Sequence, residues 1–193
     1  MDRGVMNPGT ARRRITVDEY YRMAEEGLLA PDARVELIEG EIIDMPPIGT
    51  QHAFYTSYIN TVLIRTLDGI AHVRAQNPLR LSSDTELQPD VVVAAEAPGE
   101  YIGHHPSTAD VLLIIEVSDS TLRDDLRARV PLFARHGIPE VWVFDVQKQH
   151  LGIHRKPREK AYDEVFFVSE PTALAIELLP NVHIELPKLF KRT

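Results

Sequence analysis

The chain has 193 residues, 44% hydrophobic and 26% charged, a balance typical of a globular protein with one packed core. Its formal net charge of −8 argues against a simple nucleic-acid wrapping protein, because such domains are usually strongly basic. The absence of cysteine excludes a disulfide framework, a thiolate zinc site and a cysteine nucleophile.

Charge is distributed unevenly along the chain. The net charges are +3, −13, +4 and −2 over residues 1–14, 15–120, 121–160 and 161–193. This pattern fits an ordinary solvated surface, and it also fits carboxylates that need a cation beside basic groups for a polyanion. We interpret residues 1–14 as a basic N-terminal arm and residues 15–193 as a single domain. Arg12, Arg13 and Arg14 of the arm either contact phosphates or pack on a partner subunit.

The cellular location follows from what the sequence lacks. No apolar run approaches the roughly 18 residues of a membrane helix. The first residues do not contain the apolar core of a signal peptide. We therefore expect a cytoplasmic protein that does not associate with membranes, and the compactness of the chain suggests a prokaryotic cell.

Capping and turn residues predict the first elements. Thr16 and Glu19 have the spacing of a capping box, so a helix is expected over Val17 to Glu26, closed by Gly27. Two β-rich runs between Arg34 and Met45 flank Glu39-Gly40, which predicts a hairpin. A second helix is expected over Gln51 to Leu67, because apolar residues recur at helical spacing at Phe54, Tyr58, Val62 and Leu63.

The pattern then changes to strands, with one more helix among them. The sequence predicts strands over His72–Ser82, Asp90–Ala95, Val111–Val117 and Glu140–Val146, and short antiparallel strands from His150 to Leu186. An Arg-rich helix is predicted from Asp119–Thr121 to about His136. Helices grouped around a mostly contiguous block of strands indicate an α+β or mixed α/β sheet protein.

Two acidic residues occupy positions where acids are least expected. Asp90 directly precedes the apolar run Val91–Val93, and Glu116 directly follows Leu112–Ile115. A carboxylate beside a buried strand costs free energy unless it is paired, hydrogen-bonded or bound to a cation. If the strands are neighbours, both carboxylates project from one end of the sheet and suit magnesium or manganese. The alternative is that Asp90 caps a strand turn and Glu116 pairs with an arginine.

An ordered set of short motifs resembles a known family. Pro89-Asp90 before an apolar strand, followed by Glu116-Val117-Ser118, is similar to the PD-(D/E)XK nuclease motif. More closely, the chain resembles a large bacterial family of restriction-type endonucleases within that superfamily, formerly a domain of unknown function. The matching stretches follow one another in order: Thr16–Tyr20, Arg34–Glu41, His52, Gln76–Pro78, Arg80-Leu81, Gln88–Asp90, Glu116–Ser118, Phe133–Glu140 and Val141–Asp145.

The resemblance carries expectations about fold and chemistry. It implies a restriction-endonuclease-like fold with a central mixed β-sheet flanked by helices. It implies Mg²⁺ or Mn²⁺ held by Asp90 and Glu116, with the backbone carbonyl after Glu116 as a third ligand. The implied reaction is phosphodiester hydrolysis of DNA, in which the metal neutralises phosphate charge and makes a bound water acidic enough to attack.

Four further residues match positions of the family. Glu36 is expected to hold a metal-bound water, unless it is a solvent-facing hairpin acid. His52 is expected to orient the phosphate or Glu36, unless it only packs on the sheet. Gln76 is expected on a neighbouring strand, within hydrogen-bonding reach of the site. Ser118 stands where the superfamily motif has a Lys, and we assign it with Gln76 to substrate contact.

The missing Lys has a counterpart on the following helix. In this family the Lys is usually displaced to that helix, and the matching residue here is Arg129, four positions after Asp125. Arg127 and Arg129 point about 200° apart, and the match assigns the face of Arg129 to the sheet edge. Arg retains the charge, but it is a poor replacement where a compact ammonium must lie beside the attacking water. The resemblance thus implies a catalytic group made of Glu36, His52, Asp90, Glu116 and Arg129.

Three functions remain open at the level of sequence. The first is a metal-dependent endonuclease acting on DNA. The second is a catalytically impaired protein of the same fold that binds nucleic acid or regulates a partner. The third is a structural subunit whose acidic side chains only keep its surface hydrated. Because restriction-type nucleases often act as dimers to cut both strands, the resemblance also implies a homodimer.

Overall fold

The computed structural model describes residues 13–119, 123–170 and 172–190, with the side chains of residues 123–126 outside that description. Arg12 and the expected helix start at Ser120-Thr121 lie outside these residues. Within them the helices are α1 (Val17–Glu25), α2 (Thr50–Thr66) and α3 (Arg123–Arg135). The strands are β1 (Val35–Ile38), β2 (Glu41–Asp44), β3 (Ala71–Ala75), β4 (Leu79–Ser82), β5 (Thr85–Leu87), β6 (Val91–Ala95), β7 (Val111–Ser118), β8 (Glu140–Asp145), β9 (His150–Pro157), β10 (Tyr162–Val168), β11 (Ala173–Ile176) and β12 (Leu179–Glu185).

The strands form three sheets, the largest of which is mixed. Its order is β10-β9-β8-β7-β6-β3, and β7 and β8 are parallel whereas the other neighbours are antiparallel. A second sheet has the order β2-β1-β5-β4, and β11 pairs with β12. The predicted α+β class with a central mixed sheet flanked by helices is confirmed.

The N-terminal elements form as their local sequence predicts. The Thr16 side chain accepts the backbone N–H of Glu19, and the Glu19 carboxylate accepts the backbone N–H of Thr16 over 2.9 Å. Strands β1 and β2 form the expected hairpin around Glu39-Gly40. Gly40 has φ of +78°, and a Cβ there would collide with the Cβ of Arg14. The glycine therefore lets the incoming chain pack directly on the hairpin turn.

Helix α2 buries a face that is shifted from the one hydrophobicity predicts, although Leu63 belongs to both. Phe54 is 53% exposed, whereas the buried residues are His52, Thr56, Ile59 and Leu63. Two of these four are polar, so the buried stripe begins with groups that a hydrophobic pattern does not detect. Ile59 and Leu63 then pack into the apolar core on one side of the six-stranded sheet.

The stretch expected as one strand from His72 to Ser82 is two strands in different sheets. β3 ends at Ala75, and Gln76 adopts φ of +52°. The chain then turns through Asn77 and Pro78, where proline offers no N–H for a continuing ladder. β3 becomes an edge of the six-stranded sheet, and β4 an edge of the four-stranded one.

Alternate residues of the central strands face two separate apolar cores. Val91, Val93 and Ile115 belong to the core that contains α2, whereas Val92 and Ile114 belong to the core that contains Phe133 of α3. The central strands are thus covered on both faces. No helix in the described ranges is long and apolar enough to cross a membrane.

Candidate active site

The strand register brings Asp90 and Glu116 together. β6 and β7 are antiparallel neighbours, and Val91 lies opposite Ile115. Asp90 directly precedes Val91 and Glu116 directly follows Ile115, so the two acids lie side by side where β6 begins. Both residues are buried, at 7% and 4% exposure. The adjacency expected from the sequence is therefore present in the structure.

Asp90 is held in place by two hydrogen bonds to the same oxygen. Its Oδ2 accepts the backbone N–H of Val117 over 2.8 Å and lies 3.0 Å from His52 Nε2. His52 Nδ1 lies 3.5 Å from the hydroxyl of Thr56, one helical turn further on. We expected His52 to orient the phosphate or Glu36, and its partner in the structure is Asp90. Thr56 was not anticipated, although its spacing of four from His52 gives it the same helix face.

Arg129 joins the other two buried carboxylates. Its Nη2 and Nε lie 2.8 and 3.0 Å from Glu116 Oε1, and its Nη1 lies 2.7 Å from Glu36 Oε2. The second oxygen of Glu36 accepts the backbone N–H of Gln88 over 2.6 Å. Glu36 is thus a buried anchor of the guanidinium and not a solvent-facing hairpin acid. Arg127, two residues earlier on α3, is exposed, as the expected helix geometry requires.

The buried charges do not balance. Three carboxylates, from Glu36, Asp90 and Glu116, face one guanidinium. Burial, with the charges of Asp90 and Glu36, raises the pKa of Glu116 to about 8, although Arg129 opposes this shift. Burial lowers the pKa of His52, but the hydrogen bond and charge of Asp90 outweigh it, so that this pKa is raised overall. The site therefore retains protons near neutrality, and these protons offset the excess of carboxylates until a further cation displaces them.

The donor set fits a hard divalent cation. Asp90 Oδ1 and Glu116 Oε2 receive no hydrogen bond within the described part of the chain, so each carboxylate has one oxygen available. Among those residues no group of three or more His, Asp or Glu side chains is arranged as a metal cage. Two carboxylates with a backbone carbonyl nevertheless suit magnesium, which commonly uses one or two carboxylates and keeps several waters.

A cavity of about 170 Å³ opens onto these groups. Gln76 lines it, and the Gln76 backbone N–H donates to the carbonyl oxygens of Pro89 and Asp90. Ser118 is buried at the end of β7 and does not line the cavity. The structure therefore brings together every predicted site residue except Ser118. The cavity is also lined by Arg34, Asp119 and the segment Met45–Gly49, which the sequence analysis did not assign to the site.

Comparison with known proteins gives the family. A family model described as "Uma2: Putative restriction endonuclease" matches residues 17–187. The chain is similar to a crystal structure from Anabaena variabilis described as "a putative nuclease belonging to DUF820", with a TM-score of 0.71 and 21% sequence identity. That match covers 91% of this chain and 97% of the other. No curated protein matches the chain.

The mixed-sheet fold and the family model together define a protein of the restriction-endonuclease-like class. Because the family model spans most of the chain, this protein belongs to the Uma2 family. The resemblance drawn from the motifs is thereby confirmed, and membership supports a nuclease function.

Proposed function

We propose that the protein is an endonuclease that hydrolyses phosphodiester bonds of DNA and depends on Mg²⁺ or Mn²⁺. The observation that carries the proposal is the pair of buried carboxylates, Asp90 and Glu116, opposite each other at the floor of a cavity and short of positive charge. When bound, the metal would neutralise phosphate charge and lower the pKa of a bound water. Asp90, Glu116 and the carbonyl of Val117 would hold it.

The neighbouring residues have distinct roles in this proposal. His52 and the Val117 N–H fix one oxygen of Asp90, which leaves the other oriented toward the cavity. Glu36 fixes Arg129, whose fixed positive charge stabilises negative charge on a phosphate beside it. Gln76 lines the same cavity and is placed to donate its side-chain amide to the substrate.

A cleavage assay on plasmid and oligonucleotide DNA tests the proposal. Cleavage should require Mg²⁺ or Mn²⁺, stop with a chelator, and be lost in Asp90→Ala and in Glu116→Ala. Asp68→Ala is the matched control, because Asp68 is an exposed acid outside the cavity lining. Metal-independent cleavage, or activity equal to that of the native protein in either site variant, would refute the proposal.

A second candidate function is favoured by the contacts of Arg129. The guanidinium bridges Glu36 and Glu116, so it competes with a cation for one of the two carboxylates. A protein of this kind binds nucleic acid or a partner without turning substrate over. Metal-dependent stabilisation and DNA binding without cleavage, under all conditions of the assay above, are the results expected for this alternative.

We also propose that the active form is a homodimer. Strand β10 is an edge of the six-stranded sheet, and it exposes Val165, Phe166 and Phe167 at 47%, 42% and 65%. An exposed apolar edge strand is a ready template for pairing with another chain. Light scattering on the purified protein should give twice the monomer mass, and Phe167→Lys should shift it toward the monomer.

A further inference from the structure

One wall of the cavity is apolar, in contrast to its acidic floor. Ile43 and Ile48 line the cavity and are 43% and 41% exposed, which is unusual for large aliphatic side chains. We define the apolar wall as these two residues with Met45, Pro46 and Pro47. Ligand sites are typically apolar surfaces with a few well-placed polar groups. The wall is therefore a candidate contact surface for an apolar part of the substrate.

The apolar wall is held in position by the neighbouring hairpin. The Met45 N–H donates to the carbonyl of Arg34 over 2.8 Å, and Arg34 Nη1 donates to the carbonyl of Pro46 over 2.9 Å. Two successive prolines fix their own φ angles and restrict the residues before them. The wall is thus preorganised, so that contact with it costs little ordering entropy.

The charges around the cavity do not favour binding through phosphates alone. Among the described lining residues, the acids are Glu36, Asp44, Asp90, Glu116 and Asp119, and the cations are Arg34 and Arg129. Arg129 already contacts two carboxylates. Affinity for duplex DNA depends largely on several cations neutralising phosphates. Apolar contact must therefore supply part of the affinity at this site.

The burial of the carboxylates also favours unpaired over paired nucleotides as the substrate. Asp90 and Glu116 are 7% and 4% exposed, so a phosphodiester has to enter the cavity to reach them. A paired nucleotide keeps its base face stacked inside the duplex, whereas an unpaired one exposes it. Ile, Met and Pro are among the apolar side chains that proteins insert between base steps to contact unstacked base faces.

We propose that the apolar wall receives an unpaired nucleotide, and that the substrate is single-stranded DNA or an unpaired segment within a duplex. Ile48 is the residue assigned to this contact. The inference rests on the proposed endonuclease function. It adds a substrate class and assigns Ile48 as the residue that selects it. Because this selection occurs at the binding step, binding and cleavage are measured separately.

Fluorescence anisotropy with a labelled oligonucleotide, in buffer that contains Ca²⁺, measures binding. Gel assays in buffer that contains Mn²⁺ measure cleavage. The single strand and a bulged duplex should bind about tenfold more tightly than the perfect duplex, the scale of burying one aliphatic side chain. Ile48→Ser should weaken single-strand binding about fivefold, the scale of part of one aliphatic side chain, and leave duplex binding unchanged. Ile70→Ser is the control, since Ile70 is equally exposed at 41% and lies outside the cavity lining.

The outcomes distinguish this inference from the proposed catalysis. Equal binding and cutting of single strand and perfect duplex overturns the inference and leaves the endonuclease proposal intact. An equal loss on both substrates in Ile48→Ser overturns it as well. A preserved single-strand preference that depends on Ile48, with no cleavage of any substrate, supports the inference and refutes the proposed catalysis.

Discussion

Arg129 Nη1 lies 2.7 Å from Glu36 Oε2, although 93 residues separate the two side chains in sequence. Both are largely buried, with side-chain exposures of 14% and 5%. The contact ties α3 to the β1–β2 hairpin across the mouth of the candidate active site. The same guanidinium also contacts Glu116, so a single cation holds two carboxylates in place.

Arg129→Ala should destabilise the metal-free protein. It leaves Glu36 and Glu116 buried without their cationic partner, and breaking a buried ion pair from one side costs about 3–5 kcal/mol. Urea unfolding in chelator measures the free energy of unfolding. Arg127→Ala is the matched control, because Arg127 is an exposed arginine of the same helix and should change stability by less than about 0.5 kcal/mol. A loss of similar size in both variants would contradict the ion-pair interpretation.

Manganese should raise the melting temperature of the native chain. A ligand at 100 times its Kd adds about 2.7 kcal/mol if it binds only the folded state. The double variant Asp90→Ala with Glu116→Ala should show no shift. Because the cation would relieve the same charge deficit that Arg129 relieves, its stabilising effect should be larger in Arg129→Ala than in the native chain. Equal shifts of the melting temperature in the native protein and the double variant would contradict a metal site at Asp90 and Glu116.

The stability of the metal-free protein should fall as pH rises from about 4.5 to about 8. The pKa of Glu116 is 4.5 in the unfolded reference and about 8 in the fold. The folded state therefore binds more protons in this window and loses stability with increasing pH. Glu116→Gln should remove this part of the pH dependence of the unfolding free energy. An unchanged pH dependence in Glu116→Gln would contradict the assignment to Glu116. In the native chain, Mn²⁺ affinity should increase over the same range, because binding must displace the proton.

His52 should contribute a second component of the same sign. Its pKa is raised in the fold by the hydrogen bond and charge of Asp90, despite burial. The stabilisation is thus fully present below the unfolded pKa of about 6.5 and is lost as pH rises through the higher folded value. Unfolding curves of His52→Asn in chelator should lack this loss. His183→Asn, at an exposed histidine, should retain the native profile.

Much of the site followed from the sequence because its motifs lie at strand and helix ends. Asp90 and Glu116 each abut an apolar run, and a buried run with an acid at its end already indicates a carboxylate that requires a partner. The pairing of Val91 with Ile115 then fixes their adjacency, which no single-strand pattern encodes. The contacts of His52 with Asp90 depended on how α2 packs, and the sequence left that orientation open.

Other parts of the fold were hidden for physical reasons. Gln76 breaks a β-rich stretch through a left-handed backbone conformation, which a non-glycine residue rarely signals. β5 is only three residues long, Thr85–Leu87, and two of them are polar, so its pattern is too short to detect. The buried face of α2 begins with His52 and Thr56, because it faces the polar site before it reaches the apolar core.

A buried pair distant from the site offers a test of the fold itself. Glu140 is fully buried and accepts hydrogen bonds from the Trp142 indole, Arg155 and the Glu177 backbone N–H. It thereby links β8 and β9 to the β11–β12 hairpin. Glu140→Ala should cost about 3–5 kcal/mol of stability, since Arg155 loses its buried partner. Glu185→Ala, at an exposed strand position, should change stability by less than about 0.5 kcal/mol in the same unfolding assay.

Arg129→Lys should raise the metal-dependent cleavage rate. The native guanidinium spans Glu36 and Glu116, so it is fixed between them and occupies one oxygen of Glu116. A Lys ammonium is a compact point charge that cannot bridge the two carboxylates as a planar fork does. It therefore leaves Glu116 freer for a cation and brings positive charge closer to the water.

We expect native protein to cleave slowly, and Arg129→Lys to be faster by about tenfold or more, within the range that a positioned catalytic group supplies. Arg129→Ala should abolish any residual rate while still being stabilised by manganese. Arg127→Lys controls for a general effect of lysine on the helix. If Arg129→Lys instead lowers an already robust rate, the arginine itself is the working catalytic group. If native, Lys and Ala forms all cleave equally, Arg129 serves only to hold α3 against the carboxylates, and another basic group acts in catalysis.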